Sequence, residues 1–265
     1  MHYTKTMSCR RSSGSGKLAP TLSMPSGSPR IDRVVCMGLG SFTRQTGSLE
    51  GLDPAHRPYF QHIVALSIAE ALDDMYKQHS ECYGHQSLPV RVIAQDPNYS
   101  ESDKTVLAEN GITVLDDPDG LLAIVKNTFV MSAFPSFPLY EIIADMLPGG
   151  PAAIFDASLP IDGHGDSTMA YNDFAAPRVR RMVALYRIHS FKWDEQELSD
   201  LNQKMHESMH WLSRMHLFFQ PNLSGVDELS PIVVEDIQSR EDLIKNMVPS
   251  GFQVLRQLFV RSIWG

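Results

Sequence analysis

The run Val34-Val35-Cys36-Met37 ends in Gly38-Leu39-Gly40-Ser41. Closely spaced glycines at a strand end let backbone N–H groups approach a ligand with no Cβ in the way, which is how α/β proteins build nucleotide and phosphate sites. A second apolar run ends in Asp96-Pro97, where an acid can accept hydrogen bonds from ribose hydroxyls. The same dipeptide also starts turns. Phe134-Pro135-Ser136-Phe137-Pro138 follows a further run, and its aromatics offer a wall for a planar ligand or simply a rigid loop over the core. Asp156 and Ser158 end another. Gly38, Gly40, Ser41, Asp96, Phe134, Asp156 and Ser158 are therefore the candidate ligand-binding residues. None of them is assigned a catalytic or metal-binding role, and no cofactor is identified.

Other constellations are weaker. Gly38-Leu39-Gly40-Ser41 lacks the third glycine of the dinucleotide fingerprint, and a loop carrying Gly47, Gly51 and Pro54 separates it from the helix expected near Pro58. That spacing predicts that the helix dipole does not point at the turn, and a ligand-free strand-end turn fits the glycines equally well. Asp162-Gly163-His164-Gly165-Asp166-Ser167 has an acid–His–acid spacing suited to metal or acid–base work, yet it also reads as a polar loop. His206 and His210 lie four apart and can share a helix face toward a metal, or with the nearby methionines toward haem or copper, whereas His216 is rotated away from them. With Met205 and Met209 beside them, these histidines read as flanking the apolar stripe of an amphipathic helix.

The elements that must position these residues alternate. Strands are expected over Arg33–Met37, Val90–Gln95, Ile112–Leu115, Thr128–Ala133 and Ala152–Asp156, as near-continuous apolar runs of the kind buried on both faces of a parallel sheet. Between them, Pro58 opens a helix carrying the stripe Phe60, Ile63, Val64, Ala71, Leu72 and Met75. Ser100 or Ser102 caps another that ends at Gly111, Asp117-Pro118 starts a third through Val125, and Pro138 a fourth through Met146. Repeated βα alternation predicts a Rossmann-like, doubly wound, mainly parallel sheet, with the first two strand ends as neighbours at its switch point. From Asp194 onward the pattern turns helical, with Leu198, Leu201, Met205, Met209 and Leu212 on one face. The division expected is a basic tail over 1–30, a Rossmann-like domain over 31–190 and a helical extension over 191–265 packed on it.

Charge and composition bound the function. The chain of 265 residues carries a net charge of −8, but residues 1–30 hold Lys5, Arg10, Arg11, Lys17 and Arg30 with no acid, so the remainder stands at −13. An acidic body lacks the clustered basic face that a nucleic-acid backbone requires. The Ser-, Gly- and Pro-rich tail reads as disordered, and its acid-free, Arg- and Ser-rich character also suits an organelle transit peptide. Cys9, Cys36 and Cys82 form no CxxC pair, which argues for a reducing compartment and against a disulfide framework. The longest apolar runs, such as Leu121–Val125, are far short of the roughly 20 residues a membrane span needs. A soluble protein in the cytoplasm, the nucleus or both is expected.

Taken in order, Gly38-Leu39-Gly40-Ser41, Gln61 ahead of Ile63–Leu66, Asp96-Pro97 with Tyr99, Gly111 and Leu139-Tyr140 resemble the "sensitivity to red light reduced" domain family of plants, animals and fungi. The resemblance spans residues 31–160. Where that family has a Met-Pro-His-Cys-like loop this chain reads Met131-Ser132-Ala133-Phe134-Pro135, and where it has Gly-Asn-Ser it reads Asp156-Ala157-Ser158, so the chain resembles a divergent, fungal member. The resemblance implies a regulatory protein, linked to light signalling and circadian timing, to growth or to haem-synthesis control, acting through a protein partner or a small nucleotide-like ligand. The alternative is an S-adenosylmethionine-dependent, methyltransferase-like enzyme with Gly38, Gly40 and Ser41 against the cofactor and Asp96 on its ribose.

Overall fold

The structure, a computed structural model, describes residues 30–42, 57–78, 88–133, 135–156, 176–190 and 210–220. Its strands are β1 (Arg33–Met37), β2 (Arg91–Gln95), β3 (Ile112–Val114), β4 (Thr128–Ser132), β5 (Ala153–Asp156), β6 (Arg187–Ser190) and β7 (His216–Phe219). They form one sheet in the order β3-β2-β1-β4-β5-β7-β6. The pairings from β3 through β5 are parallel, and β7 runs antiparallel to both β5 and β6. This is the α/β, mainly parallel and doubly wound architecture that the βα alternation predicts.

Helices cover both faces: α1 (Arg57–Gln78), α2 (Glu101–Glu109), α3 (Asp119–Leu122), α4 (Leu139–Met146) and α5 (Pro177–Val183). Because successive side chains of a strand point to opposite faces, each central strand feeds two cores. Val34, Cys36, Val92, Ala94, Phe129, Met131 and Phe155 pack against α1, Leu107 of α2 and Trp211. Val35, Met37, Ile93, Val130, Ile154 and Phe218 pack against Leu121, Leu139, Ile143 and Met182 on the other face. Burial on both faces is why these strands read as unbroken apolar runs instead of alternating ones.

Two features correct the sequence reading. The strand order reverses between β1 and β4, so the switch-point crevice of this sheet lies there and not between β1 and β2, which are neighbours on one side of it. Residues 216–219, within the segment expected to be helical, form β7, and 187–190 form β6 where no strand is expected. A four-residue apolar run cannot reveal its period; in the sheet Leu217 enters the first core and Phe218 the second. Of the helical stripe expected through Leu212, the residues up to Met209 lie outside the described ones, and the described end is a 3-10 turn over His210–Arg214. The helix expected through Val125 stops at Leu122, after which the Val125 N–H is taken by the Thr128 hydroxyl at 2.9 Å. No helix was expected where α5 lies; β1 to β5, α2 and α4 match the expected elements to within a residue or two at their ends, and the helices expected after Asp194 lie, apart from residues 210–220, outside the described residues.

Candidate functional site

The turn after β1 is shaped by Leu39, which is buried in the first core and so forces the chain to bend on either side of it. Gly38 and Gly40 take that bend at φ values of 72° and 84°, a left-handed conformation that favours glycine. The Gly38 N–H continues the β ladder to the Gln95 carbonyl at 3.1 Å, and the next N–H of interest, that of Gly40, donates to Asp96 Oδ2 at 2.7 Å. The glycine turn and the Asp-Pro loop thus sit side by side on the carboxyl edge. Asp96 Oδ1 accepts from the Asn98 backbone N–H and side-chain amide, at 2.8 and 3.0 Å, so the carboxylate is held in place from both oxygens.

Ser41 turns away from the rim into a second buried cluster. Its hydroxyl donates to Asp103 Oδ2 at 2.7 Å, and the Phe42 N–H donates to Asp103 Oδ1 at 3.0 Å. Asp103 is the third residue of α2 and forms a capping box with Ser100, whose N–H it accepts at 2.8 Å. Burial alone would raise the Asp103 pKa, but the hydrogen bonds from Ser41, Ser100 and Phe42 outweigh it and bring the value down to about 2. One side chain therefore ties the turn after β1 to the start of α2.

The first turn of α1 closes the third side. An added Cβ on Gly40 would lie 3.1 Å from Pro58 Cγ, so the helix start lies against the turn although the two are far apart in sequence. With its amide oriented to satisfy both neighbours, Gln61 donates to the Leu39 carbonyl at 2.6 Å and accepts from Arg57 Nε at 3.3 Å. His62 is buried between the Pro58 carbonyl, 2.6 Å from Nδ1, and the Tyr99 hydroxyl, 2.7 Å from Nε2. A carbonyl can only accept, so Nδ1 carries the proton and Nε2 accepts from Tyr99. Burial pushes the His62 pKa down to about 4 and that of Tyr99 well up, so both stay neutral. Gln61, His62, Tyr99 and Asp103 were not among the candidate residues; a Gln-His pair inside an apolar helix stripe was the available signal for the first two.

Asp156 lies elsewhere on the same edge. The register places Met37, Ser132, Asp156 and His216 in one row across β1, β4, β5 and β7. All four point to the α4 side of the sheet, because they share the parity of Val35, Val130, Ile154 and Phe218. Ser132 and Asp156 are wholly buried. Pro135, after β4, lies over Gly38, with its Cα 3.6 Å from where a Cβ on that glycine would sit. Phe134, Ser158, the 162–167 segment and His206 lie outside the described residues, as does the His210 side chain. The structure therefore brings Gly38, Gly40, Ser41 and Asp96 together and sets Asp156 on the far side of β4 from them.

Among the described residues no group of three or more His, Cys, Asp or Glu could hold a metal ion, and no helix is long and apolar enough to cross a membrane. The sequence model of the SRR1 domain family matches residues 15–215, a wider span than the motifs that carry the resemblance. No curated protein and no solved structure gives a significant match.

Proposed function

We propose, for a chain that belongs to the SRR1 domain family, a regulatory protein that senses a nucleoside-like ligand at the carboxyl edge formed by Gly38, Gly40 and Asp96, with Ser41 anchoring the turn from below through Asp103. The observation carrying this reading is the 2.7 Å hydrogen bond from the Gly40 N–H to Asp96 Oδ2. A phosphate cradle needs glycine N–H groups facing an anion, and here a carboxylate already holds that place. A second anion would be repelled. A ligand offering hydroxyls or positive charge is instead attracted to the acid, so the site favours a nucleoside or an S-adenosyl compound over a nucleotide. Circadian, light-signalling or growth control in the cytoplasm or nucleus is the role that the resemblance supports.

A second reading, turnover by an S-adenosylmethionine-dependent enzyme, is favoured by the sheet itself. An antiparallel last strand inserted between β5 and β6 beside a β3-β2-β1-β4-β5 parallel array is the strand order of that methyltransferase class. Fold analogy alone assigns no reaction. A thermal-shift panel separates the outcomes, since a ligand that binds only the folded state raises Tm. S-adenosylmethionine and adenosine are expected to raise Tm while ADP and NAD do not, and Asp96→Asn, which keeps an acceptor for Gly40, is expected to weaken the response. Equal responses to ADP and adenosine would overturn the carboxylate argument, and no response to any of them would leave a protein partner as the reading.

A further inference from the structure

We propose that the sheet edge at β6 is an interaction surface occupied in cis, by the acidic segment around Ile232-Val233-Val234 of this same chain, which adds to it as an outer strand. Among the described residues β6 pairs with β7 alone, so the backbone groups on its other side form an open ladder. β4, β5 and β7 stand between this edge and the β1–β2 corner, and the surface is independent of the ligand read at Asp96.

The side chains at this edge call for a cover. In register with Ile188 stand Phe218 and Ile154, both wholly buried, yet Ile188 itself is 39% exposed, so an apolar row runs off the end of the sheet. Leu185, in the turn that leads into β6, is 50% exposed beside it. The opposite edge differs: β3 is only three residues long and its exposed side chain is Thr113. Edges left open to solvent are usually blunted by shortness, charge or an added element.

Charge and reach select the occupant. Residues 177–190 carry Arg178, Arg180, Arg181 and Arg187 and no acid. Arg178 is taken by Glu141 and Asp145 of α4, whereas Arg181 and Arg187, both exposed, have no ion pair among the described residues. A second copy paired through β6 would set one arginine-bearing strand against another, and like charges across a ladder are unfavourable. The chain's own residues 221–239 hold Asp227, Glu228, Glu235 and Asp236 with no Lys or Arg, around three β-branched residues that follow Pro231. They are tethered next to the edge, because Phe219, the last residue of β7, lies opposite Arg187, the first of β6. The outer side of β6 is about 10 Å from β7, two strand spacings, and residues 221–231 span roughly 18 Å as a flexible chain. A tether long enough for its gap gives an effective concentration in the millimolar range, so even a short, weak strand pairing is favoured over a free partner at micromolar level.

The test is backbone amide exchange of the full chain, read by mass spectrometry on peptides covering residues 187–190, with β1 as the internal reference. Val233→Pro removes a donor from the added strand and is expected to speed exchange at 187–190 by about fivefold or more while β1 keeps its rate. Glu235→Lys with Asp236→Lys is expected to act in the same direction through charge, and combining that pair with Arg181→Glu and Arg187→Glu is expected to restore protection. Arg181 and Arg187 belong to neither core, so the charge-reversed set reads the contact even where the proline loosens the sheet. Unchanged exchange at 187–190 in either segment variant, protection in the wild type that grows with protein concentration, which marks a second copy at the edge, or reversed arginines that fail to restore it would overturn the proposal.

Discussion

Two stretches of one carboxyl edge treat their polar groups in opposite ways. At the β1–β2 corner most polar groups are met from within the chain, Gly40 by Asp96, Ser41 and Phe42 by Asp103, His62 by Tyr99 and Pro58, with Gln95 Oε1 at the end of β2 the buried exception. Along β4, β5 and β7, Ser132 Oγ and His216 Nδ1 are buried without a partner among the described residues, beside the buried Asp156. A satisfied network fixes geometry, because each member loses its partner if another moves. An unsatisfied one lowers stability, because each orphaned group has lost its bonds to water without gaining any from the chain. The corner whose sequence looks most like a ligand loop is thus the more self-sufficient half, and the half with the plainer sequence holds the incomplete chemistry.

Mutation can break that contrast from the self-sufficient side first. Asp103→Ala removes one carboxylate that accepts from Ser41, Phe42 and Ser100 and also completes the α2 capping box, and it is expected to cost about 4 kcal/mol in urea unfolding. Next in size is the pH response of His62, whose pKa is about 4 in the folded chain against an ordinary 6.5. Between those values the unfolded chain binds a proton that the folded one does not, so stability is full above pH 6.5 and is lost as pH falls toward 4, by on the order of 3 kcal/mol. His62→Gln should flatten that window. The Asp103 contribution has the same sign but is lost lower, between 3.8 and about 2, so denaturation curves at stepped pH resolve the two.

Smaller effects sharpen the picture. Gly40→Ala combines a left-handed φ with a 3.1 Å approach to Pro58 and is expected to cost about 2 kcal/mol. Gly38→Ala meets only an ordinary 3.6 Å contact at Pro135 and should cost about 1 kcal/mol. Ser132→Ala, on the other half, is expected to shift unfolding by no more than about 0.5 kcal/mol, or to stabilise. If Ser132→Ala proved as damaging as Gly40→Ala, the two halves would not differ in kind.

Much of the frame was legible because the central strands are buried on both faces and the turns between them carry Gly, Pro and Ser at positions with a mechanical reason. Ser100 caps α2 and Gly111, at a φ of 78°, ends the turn after it, both as their residue types suggest. Strand alternation led to the expectation that the first two strand ends are neighbours, but not that the Gly40 N–H meets Asp96. Less legible was everything that depends on which strands meet. His216-Leu217-Phe218-Phe219 is too short to show a period, so its insertion beside β5, and with it the pairing of His216 to Asp156, was invisible. The same holds for Asp103, which reads as a routine helix-start acid until the fold lays Ser41 and Phe42 against it.

The sequence by itself determined the local grammar of this protein, namely buried strands, their closing turns, the caps and the acidic body, since these depend on residues a few positions apart. Only the tertiary structure decided the partners: that an aspartate answers the glycine turn, that the strand order reverses at β1 and β4, and that Ser132, Asp156 and His216 share one face. The reason is physical. Register and strand order are set by packing between segments as much as 84 residues apart, as Ser132 and His216 are, and no local preference encodes which of several similar apolar strands becomes a neighbour.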